Sequence, residues 1–151
     1  MLTTLIGVIV VILGLICWVG QTMAIFFLPT AIKLGLFEPE HEVDPSMFLF
    51  ERMSQGIMDV LLTWILPLSA ILMILYTGWP LFALVRGGVY LYFPGVFMIT
   101  RIVLKQHGKS VGRPSSVTSA NIFGTLWILS AITMITLAVT ELIDGVVQTG
   151  L

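Results

Sequence analysis

Residues 1–32, MLTTLIGVIVVILGLICWVGQTMAIFFLPTAI, carry no charged side chain. A helix needs roughly 20 mostly apolar residues to cross a hydrocarbon core ~30 Å thick, and this stretch supplies more than that. At about 1.5 Å of rise per residue it overshoots the core, so it must tilt, kink at Pro29 or run out along the interface. A cleaved signal peptide fits poorly, because no basic residue precedes the apolar run and the run is too long.

The rest of the chain has the same character. Of 151 residues, 58% are hydrophobic and 10% charged, against about 25% charged in soluble domains, and the mean hydropathy is +1.07. Three further apolar segments follow. One lies near 56–77, with Pro67 in its middle; one near 81–104, with Arg86, Gly87, Gly88 and Pro94; one near 117–143. With the first span at about 3–32, the reading is an all-α polytopic integral membrane protein, a four-transmembrane-helix bundle forming a single membrane domain. Residues 33–55 and 105–116 are its longer connections. Tyr76-Thr-Gly-Trp79-Pro80 makes a tight turn whose aromatic residues suit a membrane interface.

Lysine and arginine set the direction. All of the 7 except Arg86 belong to the connections after the first and third spans or to the segments bordering them: Lys33, Arg52, Arg101, Lys105, Lys109 and Arg113. The positive-inside rule makes that side cytoplasmic and puts both termini on the other, in a plasma or bacterial inner membrane. The net charge of −1 argues against a nucleic-acid partner, which would need a clustered basic surface.

Polar groups within the spans are the candidate functional residues. Arg86 lies a little inside the third span and needs a partner or a route to water. Glu141, at the same level on the fourth span with Asp144 beyond it, is the expected partner in a charge-assisted pair. Asp59 is expected near the cytoplasmic start of the second span, within reach of Arg101, Lys105 and Lys33. It is read as a structural carboxylate, with proton transfer as the sharper alternative. Thr118, Asn121, Thr125, Thr133, Thr136, Thr140 and Asp144 fall on one side of the fourth helix. This stripe must face other helices or water, and no matching polar wall is read on another span. Gly20-x-x-x-Ala24, Ala83-x-x-x-Gly87 and Ala120-x-x-x-Gly124 repeat the small-residue spacing of close helix contacts.

The connections read as solvated. Glu38, Glu40, His41, Glu42 and Asp44 could ligate a metal only by converging on one centre; two prolines extend the stretch, which reads as an acidic loop. The second connection is basic and glycine-rich, reading as an anchor against anionic headgroups. Both histidines, His41 and His107, lie in connections, so a b-type haem held by two histidines of this chain is not expected. Quinone, carotenoid or lipid contact leaves little polar signature and stays open. Cys17 has no partner for an internal disulfide and reads as a packing residue.

In outline the layout resembles the membrane-associated eicosanoid and glutathione enzymes (MAPEG), four-helix chains with a long first cytoplasmic connection and a short outer turn. Arg52 and Asp59 stand at the separation of that family's Arg and Glu opening its second helix, and Arg101 sits near an arginine of its third. Ser54 and Gly56 replace the histidine and asparagine between the first pair. The resemblance implies a glutathione-dependent activity. The residues themselves show no nucleophile beside a base, so the leading expectation is a small non-catalytic accessory or structural subunit packing within a larger membrane complex. Tyr90, Tyr92, Phe93 and Phe97 would then meet other chains or pigments. The alternative is an autonomous oligomeric membrane enzyme or carrier using Arg52, Asp59, Arg86 and Arg101.

Overall fold

In a computed structural model the described residues are 2–149, less the side chains of Leu2, Phe93, Val147 and Thr149. Helix is dictated first by the solvent: a backbone that crosses lipid must satisfy its own N–H and C=O groups. Four helical rods are long and apolar enough to cross a membrane: Thr3–Phe26, Pro45–Ile74, Trp79–Gln106 and Pro114–Val146.

The first apolar run resolves its excess length by breaking. Helix α1 (Leu2–Phe26) stops at Phe27 (φ −132°, ψ 46°), and the short α2 (Leu28–Lys33) restarts with Pro29 in its first turn. Proline has no N–H to donate and its ring excludes helical geometry before it, so the break falls just ahead of Pro29.

The second rod starts at Pro45, earlier than the apolar pattern indicates, because Asp44 caps it. The Asp44 carboxylate accepts from the Ser46 amide at 3.0 Å, and Pro45 sits where a missing N–H costs nothing. The rod then runs through α3 (Pro45–Leu49), a π-helical segment (Phe50–Gln55), α4 (Gly56–Leu62) and α5 (Ile65–Ile74). The interruption at Thr63–Trp64 lies one turn before Pro67, where the ring displaces the backbone.

Helix α5 ends in a Schellman turn. Thr77 N donates to Leu72 O at 2.9 Å and Tyr76 N to Met73 O at 3.2 Å, with Tyr76 at φ 53°. Gly35 and Gly108 occupy the same left-handed position after α2 and α6, where glycine costs nothing and tyrosine does. Helix α6 (Trp79–Gln106) and the long α7 (Pro114–Thr149) complete the chain.

The helices pack in sequence: α1 on α4 and α5, α5 on α6, α6 on α7, while α4 scarcely meets α6. Small residues set the close contacts. A Cβ on Gly87 would lie 2.3 Å from Ile135 Cγ1, and one on Gly124 would lie 3.1 Å from Met98 Sδ. Gly20 is different, since a Cβ there would meet nothing within 4 Å. The core of Leu66, Ala70, Met73, Ala83, Tyr90, Ala131, Met134 and Ala138 therefore fills the half of the bundle near the Thr77–Gly78 turn. The half near the connections is left looser between α4 and α6.

The two connections are not independent solvated loops. Val43 and Val111 form an antiparallel bridge, Asp44 N donates to Ser110 O at 2.9 Å, and the Ser110 hydroxyl donates to Glu42 O. Lys109 Nζ lies 3.2 Å from Asp44, and Arg113 Nε lies 3.1 Å from Glu38 and 2.8 Å from Glu42. The acidic first connection is thus closed over the basic second one. Lys109 and Arg113, expected to anchor headgroups, are engaged within the chain.

Candidate functional site: a buried polar column beside a half-enclosed cavity

Glu51, Gln55, Asp59 and Thr63 recur every four residues, and all are buried. In a regular α-helix four residues advance about 40° beyond a full turn, and three such steps would carry the last side chain well off the face of the first. The π-helical segment at Phe50–Gln55 widens the turn and holds Glu51 and Gln55 on the inward face. Such segments are frequent at functional sites. A polar wall therefore does stand on another span, the second rod, although the apolar pattern does not mark it. Its signal was present as a four-residue spacing, but half of it lay ahead of the apolar run.

Facing this wall is α6. Arg101 donates to Glu51 through Nε at 3.2 Å and Nη2 at 3.0 Å, with both side chains 7% exposed. Its guanidinium carbon lies 4.2 Å from the centre of the Phe97 ring, and its Nη1 has no hydrogen-bond partner among the described residues. Arg101 was expected near Asp59; it pairs with Glu51 instead, because the second helix begins earlier and carries Glu51 to the level of Arg101. The same shift places Asp59 midway along the Pro45–Ile74 rod rather than near its start. Asp59 is 4% exposed and enters no ion pair among the described residues.

Arg86 is fully buried. Its Nη1 donates to the Ser69 hydroxyl and to Leu66 O at 3.3 Å, and its guanidinium lies 4.8 Å from the centre of the Tyr90 ring. Nε and Nη2 have no hydrogen-bond partner among the described residues. Glu141, the expected partner, is exposed on α7. The expected pair therefore does not form. Arg86 turns toward α5, where the helix interrupted before Pro67 presents Ser69 and the Leu66 carbonyl.

Between the polar wall, α1, α6 and α7 lies a half-enclosed cavity of about 240 Å³. The Glu51–Arg101 pair and Glu38 stand at its connection end, Gln55 and Asp59 along its side, and Tyr90, Cys17 and Thr63 deeper in. Trp127, Phe123, Phe97 and Ile16 supply apolar wall. Trp127 is fixed by donating to Leu13 O at 3.1 Å, which ties α7 to α1. Gly20 borders this space, which is why nothing lies near its missing Cβ.

Glu38 closes the connection end, outside the spans. Burial alone would raise its carboxyl pKa. Hydrogen bonds from the Ser116 side chain and from the Arg113 backbone and side chain outweigh burial and hold it below the usual carboxylate range. The Asp44 carboxyl is likewise lowered, first by the Ser46 amide and then by Lys109.

Arg86 and Glu141 do not border the cavity, and two further sequence candidates also stand apart from it. Arg52 is half-buried on another face of the π-helical segment, and Asn121 is half-buried on the outward side of α7. The α7 stripe does not face the other helices of this chain. Thr118, Thr125, Thr133, Thr136 and Thr140 are exposed, and each hydroxyl donates to the carbonyl four residues earlier. The inward face of α7 is instead Gly124, Ser130, Ala131, Met134 and Ala138.

Comparison of the chain with family models, curated proteins and solved structures finds no match. Its likeness to the glutathione enzymes rests on layout, and Arg52, half of the residue pair that carried it, does not border the cavity.

Proposed function

We propose that this chain is an autonomous membrane carrier or enzyme that binds a small amphipathic molecule inside its helix bundle. One observation carries the reading: a cavity of about 240 Å³ bordered by the buried ionisable residues Glu51, Asp59 and Arg101 at membrane depth. Charged groups inside lipid are expensive and mark substrate or ion paths. A purely structural bundle would more cheaply fill this space with aliphatic side chains. Apolar walls with a few convergent polar groups are also the usual make-up of ligand sites. The basic residues at the connection end support a cytoplasmic placement of that end, in a plasma or bacterial inner membrane.

The test uses Gly20. A leucine there enters open space, so Gly20→Leu keeps the fold while occupying the cavity. Purified wild-type protein in mild detergent should gain thermal stability from members of a panel of small amphipathic compounds, as binding to the native state requires. Gly20→Leu should lose that gain. Equal gains in both proteins would place binding elsewhere and refute the reading.

The outward face of α7 favours a second reading, a subunit of a larger membrane complex. Thr118, Asn121 and Thr125 border a shallow groove there. The threonine hydroxyls are satisfied within the helix, but an asparagine amide in lipid favours a partner helix. Native mass after mild extraction would show co-purifying chains, and Asn121→Leu should release them.

A further inference from the structure

Resting on the cavity reading above, we infer that the ligand is an organic cation, an amine with an apolar substituent, whose charged head is received by Asp59. Each other acid bordering the cavity is already answered: Glu51 by Arg101 at 3.0 Å and Glu38 by Arg113 at 3.1 Å. Among the described residues Asp59 alone of these acids has no ion pair, although it is 4% exposed. A carboxylate held in lipid without a counter-charge is costly unless a cation or proton reaches it. Arg86 does not serve, since its bonds run to Ser69 and Leu66.

The surroundings select an organic cation over a bare metal ion. Phe123 and Trp127 border the same space, and ring faces attract ammonium groups while accepting their apolar substituents. A metal ion would need several ligands converging, and among the described residues no group of three His, Cys, Asp or Glu side chains is placed to hold one. At ~30 Å³ per water the cavity equals roughly eight water volumes, the scale of one aromatic ring with a short amine tail.

Three probes of nearly equal size and different charge decide the matter: 2-phenylethylamine, 2-phenylethanol and phenylacetate. Each is titrated by calorimetry into the purified full-length protein in lipid nanodiscs at pH 7. The amine should bind most tightly. Asp59→Asn should weaken it about ten- to a hundredfold, the worth of a charge-assisted hydrogen bond, leave the alcohol unchanged, and be partly rescued by Asp59→Glu. Retained alcohol binding also shows that the Asn variant is folded. Equal binding of amine and alcohol, or tightest binding of phenylacetate through the free Arg101 Nη1, would overturn the cation assignment while leaving the cavity reading intact. No binding by any of the three would overturn both.

Discussion

Removing Arg101 alone should damage this protein far more than removing Arg101 and Glu51 together. Both side chains are 7% exposed and joined by two hydrogen bonds at 3.0 and 3.2 Å. Truncating one member of a buried pair leaves the other charge desolvated and unanswered, at a cost of about 3–5 kcal/mol. Replacing both by apolar residues of similar volume is often neutral or better. Arg101→Met and Glu51→Leu should therefore each lose about 3 kcal/mol or more, whereas the double variant returns to within about 1 kcal/mol of wild type. The aliphatic replacement at 101 keeps contact with Phe97, so packing loss stays small. The assay is reversible denaturant unfolding in mixed micelles, followed by tryptophan fluorescence and read as a double-mutant cycle. A coupling energy below about 0.5 kcal/mol, the scatter of independent sites, would mean that the two residues do not meet and would refute the cavity's geometry at that end.

Arg86→Met should leave the protein as stable or raise its stability by about 1 kcal/mol or more, since it removes a buried charge that has no acidic partner. Glu141→Gln should do nothing measurable; a loss there would restore the Arg86–Glu141 pair. The Glu38 and Asp44 carboxyls are held below their ordinary values, so the stability they contribute is complete above those values and lost as pH falls through the folded ones. The thermal midpoint should thus be flat above about pH 5 and fall below about pH 4, and Glu38→Gln should make the fall shallower. Tyr76→Gly should stabilise by about 1 kcal/mol, because it relieves a left-handed conformation costing ~1–2 kcal/mol in a residue with a Cβ. An unchanged or lower unfolding midpoint would mean that Tyr76 is not in that conformation.

The sequence by itself determined the helical class and the four apolar rods, because composition and length decide that question before any packing occurs. Lipid offers no partner to the backbone, so long uncharged runs such as residues 1–32 have few alternatives to helix. The small-residue spacings at Ala83–Gly87 and Ala120–Gly124 likewise carried their contact meaning, since a missing Cβ limits how close helices come whatever their partners. Asp59, Arg86 and Arg101 were legible as unusual, because a charge in an apolar run costs free energy in any fold.

Tertiary structure alone decided how those charges are answered. Arg86 chose Ser69 and the Leu66 carbonyl over Glu141, and Arg101 chose Glu51 over Asp59. Neither choice follows from depth estimates, which shift by a full turn or more when a helix begins at an N-cap such as Asp44 rather than at the first apolar residue. The cavity was hidden for a related reason. It exists because α4 and α6 part where the π-helical segment and the break before Pro67 redirect the second rod, and such rotations leave no periodic trace in composition. The closure of the acidic connection over Lys109 and Arg113 joins residues far apart in the chain, and only the fold brings them within reach of one another.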